Sequence, residues 1–363
     1  MTTDLTAAQV RAFRVRTQQL DRDRGTLADT AVLALGVQDT GPDGSRWALA
    51  NRGLPEPDPA ELVLLWTVRG APHCYRRADL PQVVAAAAPY SEDDAARRIY
   101  DAATPLRAAG IPVLDALDTI AAELRALVPD RMVKGELSGA VSAGLAPPYV
   151  RDCVPCGRVV HVWEMPFRLG ATRAGLELEP GTSPPVLRRV PDLAPAQEPD
   201  ERFDLVRLAL HLMGPTTPKL VAAYLEAPLE EVRRRWPQDV VDVQVEGRTH
   251  QVLAGDAQLL DAGPVRGTRL LGPYDPFLQV RDRALLVDDR ARAQQLWPAL
   301  GRPGAVLVDG SVVGLWRPRK SGTSMRIAVD LWQPVETEDL QEQAERLAAV
   351  RGVRLAALVT TQR

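Results

Sequence analysis

The feature that most constrains the fold is an order of elements that recurs along the chain, in which short helices are followed by a β-hairpin. It is clearest where FDLVRLALHLM, PTTPKLVAAYLE and PLEEVRRRWP predict three helices and DVVDVQVEGRTHQVLAG predicts two strands around Glu246-Gly247. Thr217-Pro218 begins the second of these helices and Pro228 the third, because proline is favoured in the first turn of a helix. Three helices and a hairpin are typical of a winged helix-turn-helix unit.

The same order occurs twice earlier in the chain. Thr6 is suited to cap a helix in AAQVRAFRVRTQQL, TLADTAVLALG predicts a second helix that ends at Gly36, and a third is predicted around Trp47. LVLLWTVRG and PHCYRR then predict a hairpin. Later, DDAARRIYDAATPLRAAG, LDALDTIAAELRALV and KGELSGAVSAGL predict helices, and VVHVW and LELEP predict strands.

This order predicts an α+β fold of tandem winged-helix units, each with a β-hairpin wing, and a β-rich C-terminal region. The predicted limits are 1–90 for the first unit, 91–190 for the second, 200–262 for the third, and 263–363 for the β-rich region with its closing helix from Thr337 to Val350. The prolines between Pro184 and Pro199 predict a linker. Winged-helix units also serve as scaffolds, so the fold alone does not establish DNA binding.

The β-rich region contains a local excess of positive charge. Between Gly263 and Ile327 there are eleven basic and five acidic residues, although the whole chain has a net charge of −3. VLVDGSVVGLW predicts two strands joined at Asp309-Gly310, and a basic hairpin suits a DNA groove. The residues predicted to bind DNA are Arg69, Gln279, Arg281, Arg283, Arg317, Arg319 and Lys320. The alternative is a solvated arginine surface, since only three of the 44 basic residues are lysine, as a GC-rich genome would give.

The composition excludes several classes of protein. With 45% hydrophobic and 25% charged residues the chain is not disordered, and no apolar run approaches the roughly 20 residues of a membrane span. The polar first twenty residues do not resemble a signal peptide, and three cysteines fit a reducing compartment. We therefore expect a cytoplasmic, nucleoid-associated monomer that binds double-stranded DNA and has no membrane partner.

A metal site is not expected. Cys153-x-x-Cys156 with His161 would supply three zinc ligands, but no fourth cysteine or histidine lies nearby in the sequence. We predict no metal and no other cofactor. His73 and His161 each lie beside an apolar strand and are predicted to be core or hydrogen-bonded residues.

Several segments in one order resemble the winged-helix DNA glycosylases of actinobacteria, which act on alkylated purines and crosslinks. They are LGVQDT, WTVRGAPH, KGELSGAV, CVPCGRVVHVWEMPFR, LLGPYDPFLQVRDR and GLWRPR, and they extend over nearly the whole chain. The resemblance implies duplex DNA as the substrate and a catalytic Gln-x-Gln or Gln-x-Asp motif in the loop after the second helix. Here that loop has Gln38, Asp39 and Thr40, so its third position departs from the motif.

The chemistry of base release gives each of these three residues a possible role. Cleavage of an N-glycosidic bond builds positive charge on the sugar, and an N7- or N3-alkylated purine is already a cationic leaving group that needs little acid catalysis. Gln38 would orient the attacking water, Thr40 would hold the same water, and Asp39 would act as general base or electrostatic stabiliser if it faced the site. Alternation along extended backbone places Gln38 and Thr40 on one side. The alternative is that the loop only caps the next helix.

Three functional hypotheses follow. The first is a monofunctional glycosylase for alkylated or bulky bases. The second is a non-catalytic winged-helix DNA-binding protein, either a regulator or a lesion protector. The third is a scaffold that holds a small ligand.

Overall fold

The computed structural model describes residues 4–41, 44–153 and 157–362 and has the α+β winged-helix fold. The helices are α1 (Ala7–Thr17), α2 (Val32–Leu35), α3 (Gly44–Ala50), α4 (Leu80–Ala87), α5 (Glu92–Arg98), α6 (Ala103–Ala108), α7 (Val113–Leu127), α8 (Lys134–Gly144), α9 (Glu164–Arg173), α10 (Leu205–Met213), α11 (Pro218–Leu225), α12 (Leu229–Arg234), α13 (Arg290–Leu296) and α14 (Thr337–Val350). In the described part of the chain, none of them is long and apolar enough to cross a membrane.

The strands are β1 (Asp4–Leu5), β2 (Val37–Gln38), β3 (Leu62–Trp66), β4 (Pro72–Arg76), β5 (Arg131–Val133), β6 (Val150–Cys153), β7 (Arg158–Val162), β8 (Leu176–Leu178), β9 (Val186–Arg189), β10 (Val240–Val245), β11 (Arg248–Leu253), β12 (Thr268–Leu271), β13 (Gly304–Val308), β14 (Ser311–Ser321), β15 (Ser324–Leu331) and β16 (Arg354–Gln362). The chain divides into two compact units. Unit 1 comprises Met1–Asp58, Val206–Val221 and Pro237–Arg363, and unit 2 comprises Pro59–Leu205 and Ala222–Trp236. The limits predicted for the winged-helix repeats stay a prediction.

The sheet of unit 1 that carries the basic residues has the order β12-β13-β14-β15-β16. Asp309 and Gly310 both have positive φ, 48° and 76°, as the predicted two-residue turn between β13 and β14 requires. β15 and β16 are parallel and are connected through α14. The apolar side chains of α14, among them Leu340 and Leu347, pack with Trp316 and Ile327 in one core on one face of the sheet.

A second sheet of unit 1 confirms the hairpin predicted at Glu246-Gly247. β10 and β11 are antiparallel across that turn, and β1 adds a parallel strand at the edge of β10. α1 covers this sheet, and its Phe13 is fully buried. The cap predicted at Thr6 is confirmed, because its side chain accepts from the backbone of Gln9.

The core of unit 2 is organised by α7. Its buried residues are Val113, Ala116, Leu117, Ile120, Ala121 and Leu124, which repeat at the helical period and form one apolar face. Gly170 of α9 lies against this face, and a Cβ built there would lie 2.7 Å from Cγ2 of Ile120. α9 can therefore approach α7 closely only because residue 170 has no side chain.

The strands of unit 2 correct two expectations. β8 pairs with β3 and β9, whereas β7 pairs with β6, so the strands predicted in VVHVW and LELEP lie in different sheets. The linker predicted to begin at Pro184 was wrong over β9, which pairs with β5 and β8. Leu187 is 1% exposed, and this burial favours a strand despite the neighbouring prolines.

The helix predicted over TLADTAVLALG was too long, since only Val32–Leu35 is helical. Thr26 and Asp29 explain the shorter helix, because each side chain accepts a hydrogen bond from the backbone N–H of the other. Threonine and aspartate side chains compete in this way with helical hydrogen bonds. The helices predicted from Ala7, Leu114, Lys134 and Thr337 are confirmed, and the second begins one residue earlier, at Val113. The helix predicted over DDAARRIYDAATPLRAAG is wrong as one helix, because a 3₁₀ turn at Tyr100–Ala102 separates α5 from α6.

Candidate active site

The loop that holds Gln38 follows buried residues at the end of α2. α2 ends at Gly36, whose φ of 93° turns the chain from helix into the extended Val37–Gln38. Val37 is fully buried, while Gln38, Asp39 and Thr40 are half-buried. The three candidate side chains therefore lie at the surface of unit 1 on anchored backbone.

Gln38 and Thr40 form a pair within this loop. Nε2 of Gln38 donates a hydrogen bond of 2.9 Å to Oγ1 of Thr40. This geometry matches the alternation expected of extended backbone, which places residues i and i+2 on one side. Because the Thr40 oxygen accepts from the amide, its hydroxyl proton is directed away from Gln38. An amide and a hydroxyl held in this way can orient one small polar molecule.

Asp39 is directed to the next helix. Its Oδ1 accepts 2.8 Å hydrogen bonds from both the backbone N and the Oγ of Ser45, at the start of α3. The first N–H groups of a helix have no partner within the helix, and a carboxylate there satisfies one and favours the helix dipole. The capping hypothesis is therefore confirmed for Asp39, whereas the hydroxyl of Thr40 accepts from Gln38.

α3 is in turn anchored to the end of β12. The indole Nε1 of Trp47 and the amide Nδ2 of Asn51 both donate to the carbonyl oxygen of Leu270. The ring of Trp316 packs edge-on against Trp47 at a centroid distance of 6.4 Å. These contacts connect the candidate loop to LLGPYDPFLQVRDR, which lies more than two hundred residues later in the chain.

A buried ion pair makes the second connection. Arg52 donates to both carboxylate oxygens of Asp275 at 2.9 and 2.8 Å, and both side chains are fully buried. Asp275 also accepts from the backbone N of Phe277 at 3.0 Å. The aspartate of this motif is therefore a structural acceptor.

The predicted DNA-binding residues of the same segment lie in different surroundings. Gln279 is only 9% exposed, in a 3₁₀ turn at Pro276–Gln279, whereas Arg281 and Arg283 are half-buried. The intervening Asp282 is paired with the buried Arg14 through two hydrogen bonds of 3.0 and 2.5 Å. In this segment the carboxylate of Asp282 is thus directed to the core, whereas Arg281 and Arg283 are half-buried cations.

Arg317, Arg319 and Lys320 are exposed near the far end of β14. Their hairpin is β14–β15, which turns between Ser321 and Ser324. The basic residues thus lie at the other end of β14 from the predicted Asp309-Gly310 turn. Arg319 lies directly opposite Arg326, which is also exposed. Opposed like charges destabilise a sheet slightly, and an anion bound between them would relieve the repulsion.

Arg69 belongs to unit 2 and is held there by Tyr224. Its Nη1 donates to the Tyr224 carbonyl at 2.8 Å, and its Cζ lies 4.8 Å from the centroid of the tyrosine ring. Arg69 also has positive φ, 56°, in the turn between β3 and β4. Its guanidinium has a clear structural role.

The comparisons with known proteins bear on this geometry. The family model described as "DNA glycosylase AlkZ-like" matches residues 32–350, which include the candidate loop, all of unit 2 and most of unit 1. The chain belongs to the AlkZ-like DNA glycosylase family. The function predicted from the sequence, DNA glycosylase action on alkylation damage, is thereby confirmed at the level of the family, and duplex-DNA binding without catalysis is not favoured.

A solved structure agrees with the family at the level of the fold. Streptomyces sahachiroi DNA glycosylase AlkZ superposes with a TM-score of 0.73 at 20% sequence identity, and the match covers 99% of this chain and 100% of that chain. No curated protein sequence matches the chain. At this identity the likeness establishes the fold alone.

Two segments that carried the resemblance to this AlkZ-like family meet in unit 2. Glu164 of CVPCGRVVHVWEMPFR accepts from Lys134 of KGELSGAV at 2.9 Å and from Arg168 at 2.7 Å. Burial raises the pKa of the Glu164 carboxyl, but the hydrogen bonds and charges of Lys134 and Arg168 outweigh it and leave that pKa below its usual value. These motif residues therefore stabilise unit 2.

His73 and His161 both lie in strands of unit 2. His73 is 1% exposed, its Nδ1 lies 2.9 Å from the carbonyl oxygen of Ala71, and burial, with the nearby charge of Arg69, lowers its pKa to about 3. It is a neutral core residue, as predicted. His161 is half-buried in β7, and Cys156 lies outside the described residues. In the part of the chain that the structure describes, no three histidine, cysteine or acidic side chains are grouped as metal ligands.

Arg302 was counted in the basic excess but was not among the residues predicted to bind DNA. It lies half-buried just before β13, and its guanidinium Cζ is 5.3 Å from the centroid of the Tyr274 ring. The sequence Gly301-Arg302-Pro303 before an apolar strand was the available signal, since it predicts a turn that would display the arginine.

Proposed function

We propose that the protein is a monofunctional DNA glycosylase that hydrolyses the N-glycosidic bond of purines made cationic by alkylation at N7 or N3, including bulky adducts, in duplex DNA. The observation that carries this proposal is the Gln38–Thr40 hydrogen bond, because it presents an amide and a hydroxyl together while Asp39 is directed to Ser45. Family membership supplies the reaction class.

Release of an alkylated purine does not require the protein to protonate the base. When the bond between C1′ and the purine nitrogen breaks, its electron pair neutralises the positive charge of the alkylated base, which leaves as a neutral molecule. The sugar becomes oxocarbenium-like, water adds to C1′, and its proton passes to solvent, leaving an abasic site. A neutral amide that orients the water is sufficient, since the leaving group needs no general acid.

Gln38 and Thr40 are proposed to divide this task. The amide of Gln38 orients the attacking water, and Thr40 fixes the amide plane by accepting its Nε2–H at 2.9 Å. Thr40 thus replaces the third motif residue as a positioning group. Asp39 is proposed to act through the start of α3.

The exposed Arg317, Arg319 and Lys320 are proposed to contact backbone phosphates. Their exposure on β14 and the opposition of Arg319 to Arg326 support this role, because bound DNA releases counterions from each contacted phosphate. We further propose that the protein acts as a monomer and is associated with the nucleoid.

The test is single-turnover release of the base from duplexes that carry N7-methylguanine, N3-methyladenine or a bulky N7 adduct, measured as abasic sites with protein in excess. We expect Gln38→Ala to lower the rate about 100-fold or more, because it removes a group that acts only at the reacting sugar and water. The dissociation constant for DNA should change by less than about twofold, since Gln38 contacts no phosphate. Gln294→Ala, an exposed glutamine of α13, is the matched control.

Two further variants separate the roles within the loop. Thr40→Gln rebuilds a Gln-x-Gln motif and should retain or raise the rate, whereas Asp39→Asn should leave it unchanged, because an amide oxygen still accepts from Ser45. If the wild type and Thr40→Gln are both inert on all three lesions while DNA binding persists, the protein is a DNA-binding relative without catalysis.

A further inference from the structure

Arg283 and Arg302 of unit 1 each lie on an aromatic ring and have no acidic partner in the described part of the chain. Cζ of Arg283 is 4.9 Å from the centroid of the Trp297 ring, and Cζ of Arg302 is 5.3 Å from that of Tyr274. The indole of Trp297 is itself fixed, because its Nε1 donates to the carbonyl oxygen of Leu278 at 3.1 Å. Over residues 4–41, 44–153 and 157–362, no carboxylate lies within ion-pair distance of either guanidinium.

The carboxylates of the neighbouring segment are bound elsewhere. Asp282 is paired with Arg14, and Asp275 is paired with Arg52. Burial, and then the positive charges of Arg302 and Arg281, lower the pKa of the Arg283 guanidinium below its ordinary value. Both rings lie at one short segment, because Tyr274 comes four residues before Leu278, whose carbonyl oxygen holds the Trp297 indole. The two arginines therefore lie beside the same turn, and its carboxylates are bound in the core.

The residue before Arg302 is fixed, and the Pro276–Gln279 turn that follows Tyr274 contains a further donor. Arg317 donates to the carbonyl oxygen of Gly301 at 2.8 Å, which fixes the residue before Arg302. Gln279, four residues before Arg283, is nine-tenths buried, and in the described part of the chain its Nε2 has no acceptor. A buried N–H without an acceptor costs about 1–3 kcal/mol, which a bound oxygen anion would offset.

We propose that Arg283 and Arg302 form a preorganised phosphate-binding subsite that receives one phosphodiester group of the DNA backbone. A guanidinium stacked on an aromatic ring loses little conformational entropy on binding and presents a planar fork that matches phosphate oxygens. That the phosphate comes from DNA rests on the proposed function, whereas the anion site rests on the geometry. The subsite differs from the exposed hairpin residues Arg319 and Lys320, because both of its guanidinium groups are held on rings, and Arg317 supports it only through Gly301.

The experiment measures the affinity for a short undamaged duplex by fluorescence anisotropy over a series of NaCl concentrations. We expect Arg283→Gln and Arg302→Gln each to raise the dissociation constant about tenfold, because each variant loses one charge-assisted contact. Each should also reduce the slope of log affinity against log salt concentration by about one. The double variant should lose less than the product of the single losses, because both arginines bind one phosphate. Arg302→Lys should retain part of the affinity, since it keeps the charge.

Arg266→Gln is the matched control, because it removes one positive charge from an arginine of unit 1 whose side chain is 81% exposed and paired with Asp309. It should change affinity by less than about twofold. Circular dichroism and thermal melting check that each variant folds. Equal losses in Arg266→Gln and Arg283→Gln, or strictly multiplicative losses in the double variant, would overturn the subsite.

Two arms separate this proposal from others. Inorganic phosphate should compete with the duplex only weakly; if it raises the melting temperature of the wild type, but not of the double variant, while the variants bind DNA normally, the site takes free phosphate and the DNA assignment is wrong. If the wild type releases no base from any lesion but the arginine variants still lose affinity, the proposed function fails and the subsite stands.

Discussion

Arg52 and Arg319 lie in the same unit and carry the same cation, but their surroundings are opposite. Arg52 is fully buried and makes two hydrogen bonds to Asp275, whereas Arg319 is exposed and faces Arg326 across the strand pair. Arg283 and Arg302 are intermediate, since they are half-buried on aromatic rings. The role of an arginine in this protein thus depends on whether a carboxylate lies within reach and on how much water surrounds it.

The largest effect is expected where the pair is buried. Arg52→Met should lower the free energy of unfolding by about 3–5 kcal/mol, because it leaves the carboxylate of Asp275 buried without its cation. Urea unfolding followed by circular dichroism measures this loss. Adding Asp275→Asn should restore part of the stability, since a neutral amide still accepts from Phe277. A cost below about 1 kcal/mol for Arg52→Met would show that the buried pair is not structural.

Replacement of the exposed basic residues of β14 should weaken DNA binding and leave the free energy of unfolding almost unchanged. Replacing Arg317, Arg319 and Lys320 together by glutamine should raise the dissociation constant for duplex DNA at least about tenfold and lower the salt slope by about two to three, because each contacted phosphate contributes about 0.9 to that slope. The loss should be similar for all sequences, since phosphate contacts carry no base information.

The control for that triple variant removes the same charge from unit 2. Arg107, Arg202 and Arg233 have side chains 59%, 72% and 57% exposed, and their replacement by glutamine should leave the salt slope unchanged. Equal effects of the two triple variants would mean that only the net charge matters, and the hairpin would lose its assigned role.

The smallest effect is expected for an ion pair that has a carboxylate but remains in water. Arg266→Gln, next to Asp309, should change the free energy of unfolding by less than about 1 kcal/mol, because solvent screens an exposed pair. Urea unfolding of this variant beside Arg52→Met would separate the contribution of a carboxylate from that of burial. A loss as large as that of Arg52→Met would refute the comparison.

Local sequence signals predicted the elements well. The turns at Glu246-Gly247 and Asp309-Gly310 and the helix from Thr337 to Val350 depend on residues close in sequence, and all three are confirmed. The helix predicted to end at Gly36 was too long, since the Thr26–Asp29 hydrogen bonds compete with helical ones.

The candidate site shows where sequence reasoning ends. Alternation correctly placed Gln38 with Thr40, and cap preference correctly directed Asp39 to α3, because both rules are local. The sequence did not indicate that Gln279 is buried, nor that Arg283 and Arg302 lie on the rings of Trp297 and Tyr274, since these contacts depend on packing between separate segments. The charge count treated all eleven basic residues alike and did not predict that Asp275 and Asp282 pair with buried arginines.

The interleaving of the two units has a consequence for synthesis of the protein. All of unit 2 has been made when the ribosome reaches Trp236, but unit 1 still lacks the residues from Pro237 onward. Counted from its own synthesis, Arg52 waits for Asp275, which is added 223 residues later, or roughly 10 to 45 s at typical rates of elongation. During that interval the candidate loop is present without the partners of α3. A nascent chain should therefore complete unit 2 first and gain the anchored Gln38–Thr40 loop only near the end of translation.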